Sequence, residues 1–328
     1  MDFFILFIKN IINIPLLCFL IGLFLNLMGF QLNFPKKANQ LLTVSILFCI
    51  GLKGGIPLLE CFSTSPLYFS MILSTLILWG FLQPVLAFYL LKSVTRIDTL
   101  TAAAISASFG SVSVITFTTA ISFLDVLHID YQKFIIPTLA IMEIPAIISG
   151  VFLAKTFDKT YLAQGSNLKK LLRESLLNKA VIAIFIGMIT GVFLYNHQLT
   201  PIGNHLLVSF KPLLCLFLLD MGLLVGLQKK YFRAFSSSLN LFGLYMPLIG
   251  GCFGLLLSYL FHLDIGTSTL MAVLTASASY IAVPAAMKIV LPQAKEAVYL
   301  PLSLGIAFPF NVIIGIPLYY YFASRFLT

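Results

Sequence analysis

Two stretches of this chain carry small and hydroxyl-bearing side chains where long apolar ones would otherwise continue. Residues 101–120 read TAAAISASFGSVSVITFTTA, with Ser106, Ser108, Ser111 and Ser113 gathered around Gly110. Residues 267–287 read TSTLMAVLTASASYIAVPAAM, with Thr275, Ser277 and Ser279 just ahead of Tyr280 and Pro284. An unpaired backbone group in hydrocarbon costs several kcal/mol, so unwound segments of this kind occur only where they line a cavity or lie buried in protein. The chemistry on offer is ion binding. A helix N-terminus at such a break presents N–H donors and partial positive charge to a small anion. Bare carbonyls and Ser or Thr hydroxyls present oxygen to a small hard cation such as sodium. Close helix packing also favours Gly, Ala, Ser and Thr. It accounts for the small side chains, but less well for polar clusters at matching places in two segments.

Of the eleven acidic residues, Glu143 and Asp220 lie within apolar runs. An ionisable group inside a membrane is costly and is a functional candidate by default. Glu143 sits in Pro137-TLAIMEI-Pro145, where it would bind sodium, carry a coupled proton, or pair with a base such as Lys53. Asp220 lies near the end of an apolar run, within reach of water or of Lys229 and Lys230. His128, His197, His205 and His262 fall near the ends of apolar runs, as interfacial residues do. The five cysteines lie in or beside apolar stretches without CxxC spacing and read as core residues, not as metal ligands or disulfides. Enzyme chemistry finds no purchase: there is no histidine–glutamate zinc motif, no serine–histidine constellation and no phosphate-cradling glycine loop.

The elements that must position these residues follow from composition. The chain has 328 residues, 60% hydrophobic and 9% charged, with mean hydropathy +1.04. A soluble protein carries roughly 25% charged residues, so this is a polytopic membrane protein rather than a soluble, disordered or disulfide-built one. A spanning helix needs about 20 apolar residues. Ten segments qualify: 12–32, 40–58, 66–91, 98–124, 132–156, 178–196, 206–228, 234–262, 267–290 and 297–323. The first, with only Lys9 before it and no small-residue cleavage site, reads as a true span and not a signal peptide. Lys9, Lys53, Lys133, Lys211 and Arg325 then share a side with both termini, and the other fifteen of the 20 basic residues face the opposite side. That bias puts the second side in the cytoplasm and both termini outside. It also explains the net charge of +9 without any nucleic-acid partner.

The chain also reads as two copies of one unit. Phe19-Leu20-Ile21-Gly22 resembles Ile184-Phe185-Ile186-Gly187, and Phe34-Pro35 resembles Thr200-Pro201. Gly51-Leu52-Lys53-Gly54-Gly55 matches Gly222-Leu223-Leu224-Val225-Gly226. Ser106-Ala107-Ser108 matches Thr275-Ala276-Ser277, and Pro137 and Pro145 match Pro301 and Pro309. The offsets all lie between 164 and 171. Five spans per unit is an odd number, so the second copy is inverted, as in many secondary transporters. The expected organisation is a first five-helix repeat over 1–156, a cytoplasmic linker over 157–177, and a second, inverted repeat over 178–328. The fourth and ninth helices would be discontinuous.

At these residues the chain resembles the SbtA-type sodium-dependent bicarbonate symporters. The likeness is carried by Ile50-Gly51-Leu52-Lys53-Gly54-Gly55, Phe109-Gly110-Ser111-Val112-Ser113, Met142-Glu143-Ile144-Pro145-Ala146, the seventh span and the run Thr275–Pro284. The resemblance implies a ten-helix inverted repeat whose core domain moves against a gate domain, assembled as a homotrimer in the bacterial inner membrane. It implies no cofactor beyond sodium as coupling ion. It places the anion at Ser108, Gly110, Ser111, Val112, Ser113, Ser277 and Ser279, and the cation at Ser106, Glu143, Thr275, Ser279 and Tyr280. The departures are specific. Tyr280 stands where the family has aspartate, Ala282 and Val283 replace a serine and a glycine, and Glu143 stands where aspartate is usual. A tyrosine hydroxyl is a weaker, neutral sodium ligand than a carboxylate. The family's linker contributes to regulation by a PII-like partner; the linker here is shorter. The expected activity is sodium-coupled uptake of bicarbonate or a similar small anion by alternating access. One alternative is a proton-coupled or exchanging carrier of another small anion or monocarboxylate. Another is a non-transporting anion sensor, against which the short loops and missing output domain argue.

Overall fold

The computed structural model describes residues 3–30, 35, 37, 38, 40–49, 51, 52, 66–158, 179–196, 208–228 and 235–326. Lys53, most of the central linker, Pro201, Lys229 and Lys230 lie outside the described residues. Among the described residues every regular element is helical. In chain order these are α1 (Phe3–Ile12), α2 (Ile14–Leu27), α3 (Gln40–Cys49), α4 (Pro66–Val94), α5 (Thr99–Gly110), α6 (Val114–Leu127) and α7 (Thr138–Phe157). Then follow α8 (Lys179–Asn196), α9 (Phe210–Leu227), α10 (Ser237–Leu260), α11 (Ile265–Ala276), α12 (Ala282–Val290) and α13 (Glu296–Phe326).

Five units among the described residues are long and apolar enough to cross a bilayer: α4, α5 with α6, α9, α10 and α13. The α1–α2 pair makes a sixth if its 73° bend is counted as one span. The α5–α6 unit differs from the rest, being 94% buried over its most apolar stretch against 44–56% for the others. It is enclosed by neighbouring helices, while the others are about half exposed. That enclosure is why small and hydroxyl side chains are tolerated along it.

Helix ends follow their capping residues. Asp98 accepts from the Thr101 N–H (2.9 Å) to start α5, and Asp264 accepts from the Thr267 N–H (2.8 Å) to start α11. The parallel continues one step further. The Thr101 hydroxyl oxygen accepts from the Lys295 N–H (2.9 Å), and that of Thr267 accepts from the Gln132 N–H (2.7 Å). Helix pairing recurs in the same way. α2 runs alongside α9, with Gly22 against the Leu219 carbonyl and Gly222 against the Phe19 carbonyl. α8 lies on α3, with Gly187 against the Phe48 carbonyl. Small residues at these crossings let the backbones touch.

The remaining helices gather around α5. α4, α5 and α7 pack on one another, α10 packs on α11, and α13 packs on both α5 and α11. Two π turns, Ser303–Ala307 and Asn311–Gly315, interrupt α13. Pro317 has no N–H to offer the Ile313 carbonyl. The Asn10 amide donates to it instead (3.1 Å), and to Val312 O (2.9 Å), which anchors α1 on α13.

Candidate ion site at the crossed helix breaks

α5 stops at Gly110 because Ser111 is extended (φ −107°, ψ 178°), and α6 restarts after Ser113 (φ −100°, ψ 108°). The Ser113 hydroxyl accepts from the Thr116 N–H (3.2 Å) and from the Thr116 hydroxyl (2.9 Å). This local bonding competes with helix continuation. Gly110 itself lies against the Pro84 ring, where a methyl group would collide. The second break opens after Ala276, with Ser277 extended (φ −76°, ψ 159°), and α12 begins at Ala282. The Ser279 hydroxyl accepts from the Val283 N–H (3.2 Å).

The two breaks cross and satisfy one another's backbone groups. The Ser279 N–H donates to the Ser108 carbonyl (2.8 Å), and the Ser113 N–H donates to the Ser277 hydroxyl oxygen (2.9 Å). Buried backbone groups need such partners, so each unwound segment is stable only beside the other.

Beside this crossing lies a cavity of about 20 Å³, room for a water-sized group or a small ion. Val112, Ser113, Val114 and Ile115 line it from the start of α6, and Ser279, Tyr280, Ile281 and Ala282 from the start of α12. Glu143 enters from α7, and Thr43 and Leu47 from α3. The first N–H groups of a helix have no partner within it and carry the positive end of its dipole. Two such ends converge here. Glu143 is 5% exposed, and among the described residues no basic side chain pairs with it. Among the described residues the buried Ser111 hydroxyl finds no hydrogen-bond partner, and the Tyr280 hydroxyl is buried beside Ser113. The cavity thus combines attraction for an anion with a carboxylate that attracts a cation or a proton. An anion in this cavity and an ionised Glu143 repel unless positive charge enters with the anion.

Of the residues singled out in the sequence, Val112, Ser113, Glu143, Ser279 and Tyr280 meet at the cavity. Ser277 stands behind them and holds Ser113. Ser106 and Ser108 turn their hydroxyls back onto Ala102 O (2.8 Å) and Ala104 O (3.0 Å), so Ser108 reaches the crossing through its carbonyl. Thr275 likewise bonds back to Met271 O (3.0 Å) and Ala272 O (3.1 Å). Gly110 serves packing, and Asp220 is buried in α9 outside the cavity lining. Two buried amides escaped notice in the sequence. Gln83 donates to Thr275 O (2.8 Å) and Asn311 to Ala276 O (3.1 Å), the last two residues of α11. The available signal was a lone amide in an apolar run, which is expensive to bury without a partner. Among the described residues no cluster of His, Cys, Asp and Glu would hold a transition metal.

Helices long and apolar enough to cross a bilayer make this a multi-pass membrane protein. The chain belongs to the Na+-dependent bicarbonate transporter superfamily, whose sequence profile matches residues 15–324. No curated protein matches the chain.

Proposed function

We infer that the protein is a secondary active transporter that couples uptake of bicarbonate, or a similar small oxyanion, to sodium by alternating access. The observation that carries this reading is the convergence of two helix N-termini and Glu143 on one cavity. The anion sits against the first N–H groups of α6 and α12, with Ser113 and Ser279 beside them. Sodium sits between the Glu143 carboxylate and neighbouring hydroxyls. Each ion removes the penalty of burying the other, and that mutual requirement is the coupling. A planar oxyanion needs more room than about 20 Å³. Admission therefore requires Thr43 and Leu47 on α3 to withdraw from the broken helices, which is the gating motion.

The reading extends to the whole architecture. The matched clips at Thr101 and Thr267, and the matched pairs α2–α9 and α8–α3, support two inverted five-span repeats over 1–156 and 178–328. In that arrangement the α2–α9 and α3–α8 pairs form the gate, and the remaining spans form the moving core. We place the protein in the bacterial inner membrane as a homotrimer with both termini outside.

Tyr280 supports a second reading. A neutral hydroxyl at this position leaves Glu143 as the single carboxylate lining the cavity among the described residues, and a proton on Glu143 would admit the anion equally well. Glu143→Gln separates the readings in reconstituted protein. Sodium coupling requires that the variant lose sodium-stimulated uptake. A proton-coupled carrier retains pH-independent exchange when its carboxylate is made permanently neutral. Wild-type uptake in the variant would remove Glu143 from either mechanism.

A further inference from the structure

We propose that Gln83 and Asn311 are positioning residues that keep the ninth span broken, by occupying the two carbonyls through which its helix would otherwise continue. The inference rests on the reading of that break as the transport site. In an α-helix each N–H bonds the carbonyl four residues back. Continuation of α11 past Ala276 would therefore send the Ser279 N–H to Thr275 O and the Tyr280 N–H to Ala276 O. Each of those oxygens already accepts a side-chain amide, so it stays satisfied without the helical N–H. Gln83 on α4 donates its amide to Thr275 O at 2.8 Å, and Asn311 on α13 donates to Ala276 O at 3.1 Å. The Ser279 N–H is diverted to Ser108 O at 2.8 Å.

The amides are themselves held. Gln83 is 2% exposed and Asn311 1%. The Tyr319 hydroxyl shares its one proton between the Asn311 side-chain oxygen (3.1 Å) and Pro247 O (3.2 Å), and the amide nitrogen of Asn311 faces Ala276. Asn311 opens the second π turn of α13, a wide turn of a kind found often at functional sites. Gly315 closes that turn, and a methyl there would come within 2.8 Å of the Asn311 oxygen. Two neutral amides from separate helices thus converge on consecutive carbonyls at the one point where the helix must stop. Apolar residues would fill the same space, but would leave both carbonyls bare in a dry interior. The nearest donors able to reach them are their own Ser279 and Tyr280 N–H groups, so the segment would wind into helix and withdraw Ser277, Ser279 and Tyr280 from the crossing.

The test is the double variant Gln83→Leu/Asn311→Leu in full-length, reconstituted protein. A cryo-electron-microscopy structure should find residues 277–281 helical; an extended 277–281 segment would overturn the proposal whatever the transport result. Bicarbonate uptake should show KM raised by about tenfold or more, the effect of losing one well-placed hydrogen bond in the site. The melting temperature should fall, because the Ser108 carbonyl and the Ser113 N–H lose the partners they have across the crossing. A lowered melting temperature with unchanged KM and an extended 277–281 segment would mean that the amides serve stability alone. If 277–281 turns helical while bicarbonate uptake remains normal, the positioning role stands and the placement of the anion at this break falls.

Discussion

Gly150 on α7, two turns beyond Glu143, packs against α5 at Ala103 and Ala107. A methyl group added there would sit 2.6 Å from the Ala107 Cβ and 3.2 Å from Ala103 O. Ordinary contact begins near 3.4 Å, so the helices must separate by about 0.8 Å. Neither neighbour has a flexible end to swing away, since both are short side chain or backbone. Ala107 precedes Ser108, whose carbonyl accepts the Ser279 N–H at 2.8 Å. A shift of that size directed away from Ser279 carries the contact to about 3.6 Å, beyond useful hydrogen-bond range. Overpacking a tight contact costs roughly 1–3 kcal/mol, and a misplacement of about 1 Å at a reacting geometry costs on the order of a hundredfold in rate. Gly150→Ala should therefore lower sodium-driven bicarbonate uptake by tens of fold, with a modest fall in melting temperature. Ala107→Gly added to Gly150→Ala removes the opposing methyl and should restore most of the uptake, less the roughly 1 kcal/mol that Gly costs within a helix. Proteoliposome uptake of labelled bicarbonate, with melting followed in parallel, reads both effects. Wild-type uptake in Gly150→Ala would refute the reasoning, and so would a failure of Ala107→Gly to rescue it.

Three further outcomes are expected. Ser277→Ala leaves the buried Ser113 N–H without its acceptor, at a cost of about 1–3 kcal/mol; uptake should fall more than tenfold, and normal uptake would remove the crossing from the site. Partial burial pushes the Asp98 carboxyl up, but the hydrogen bonds it accepts from Thr101 and the nearby Lys295 ammonium (3.4 Å) outweigh that and hold it below the usual carboxylate range. Its contribution is present above the ordinary carboxylate pKa and is lost as pH falls through the lower, folded-state value. Because the pair is largely exposed, Asp98→Asn should cost under about 1 kcal/mol at neutral pH, and the melting-temperature difference from wild type should shrink as pH is lowered from 6 toward 3, on the order of the usual carboxylate range. Gly22→Ala and Gly187→Ala, at corresponding places in the two pairs α2–α9 and α8–α3, should each lower the melting temperature; an effect in one alone would argue against equivalent packing.

Polar atoms in hydrocarbon are expensive, and that expense made part of the site legible in the sequence. The hydroxyl-rich runs 101–120 and 267–287, and Glu143 between two prolines, stand out because packing alone does not call for polar clusters at matching places or for a carboxylate. The breaks fall within those runs, at Ser111–Ser113 and Ser277–Ile281. Which atom of each residue does the work was not legible. Ser106, Ser108 and Thr275 spend their hydroxyls on the preceding turn of their own helices, a matter of side-chain rotamer that residue type leaves open. The partners of Gly22 and Gly222 lie far along the chain, and no local periodicity names them. Gln83 and Asn311 are lone amides in otherwise apolar runs, a signal that a partner exists, but the carbonyls they meet are far along the chain and only the structure names them.

The central claim is that sodium and a small oxyanion enter this cavity together. Saturable uptake of labelled bicarbonate into proteoliposomes, compared with sodium or with potassium outside at fixed pH, tests it most directly. The account predicts uptake that saturates with bicarbonate and requires sodium, with Tyr280 in place. Folded protein that takes up bicarbonate equally in either salt, or in neither, would contradict it.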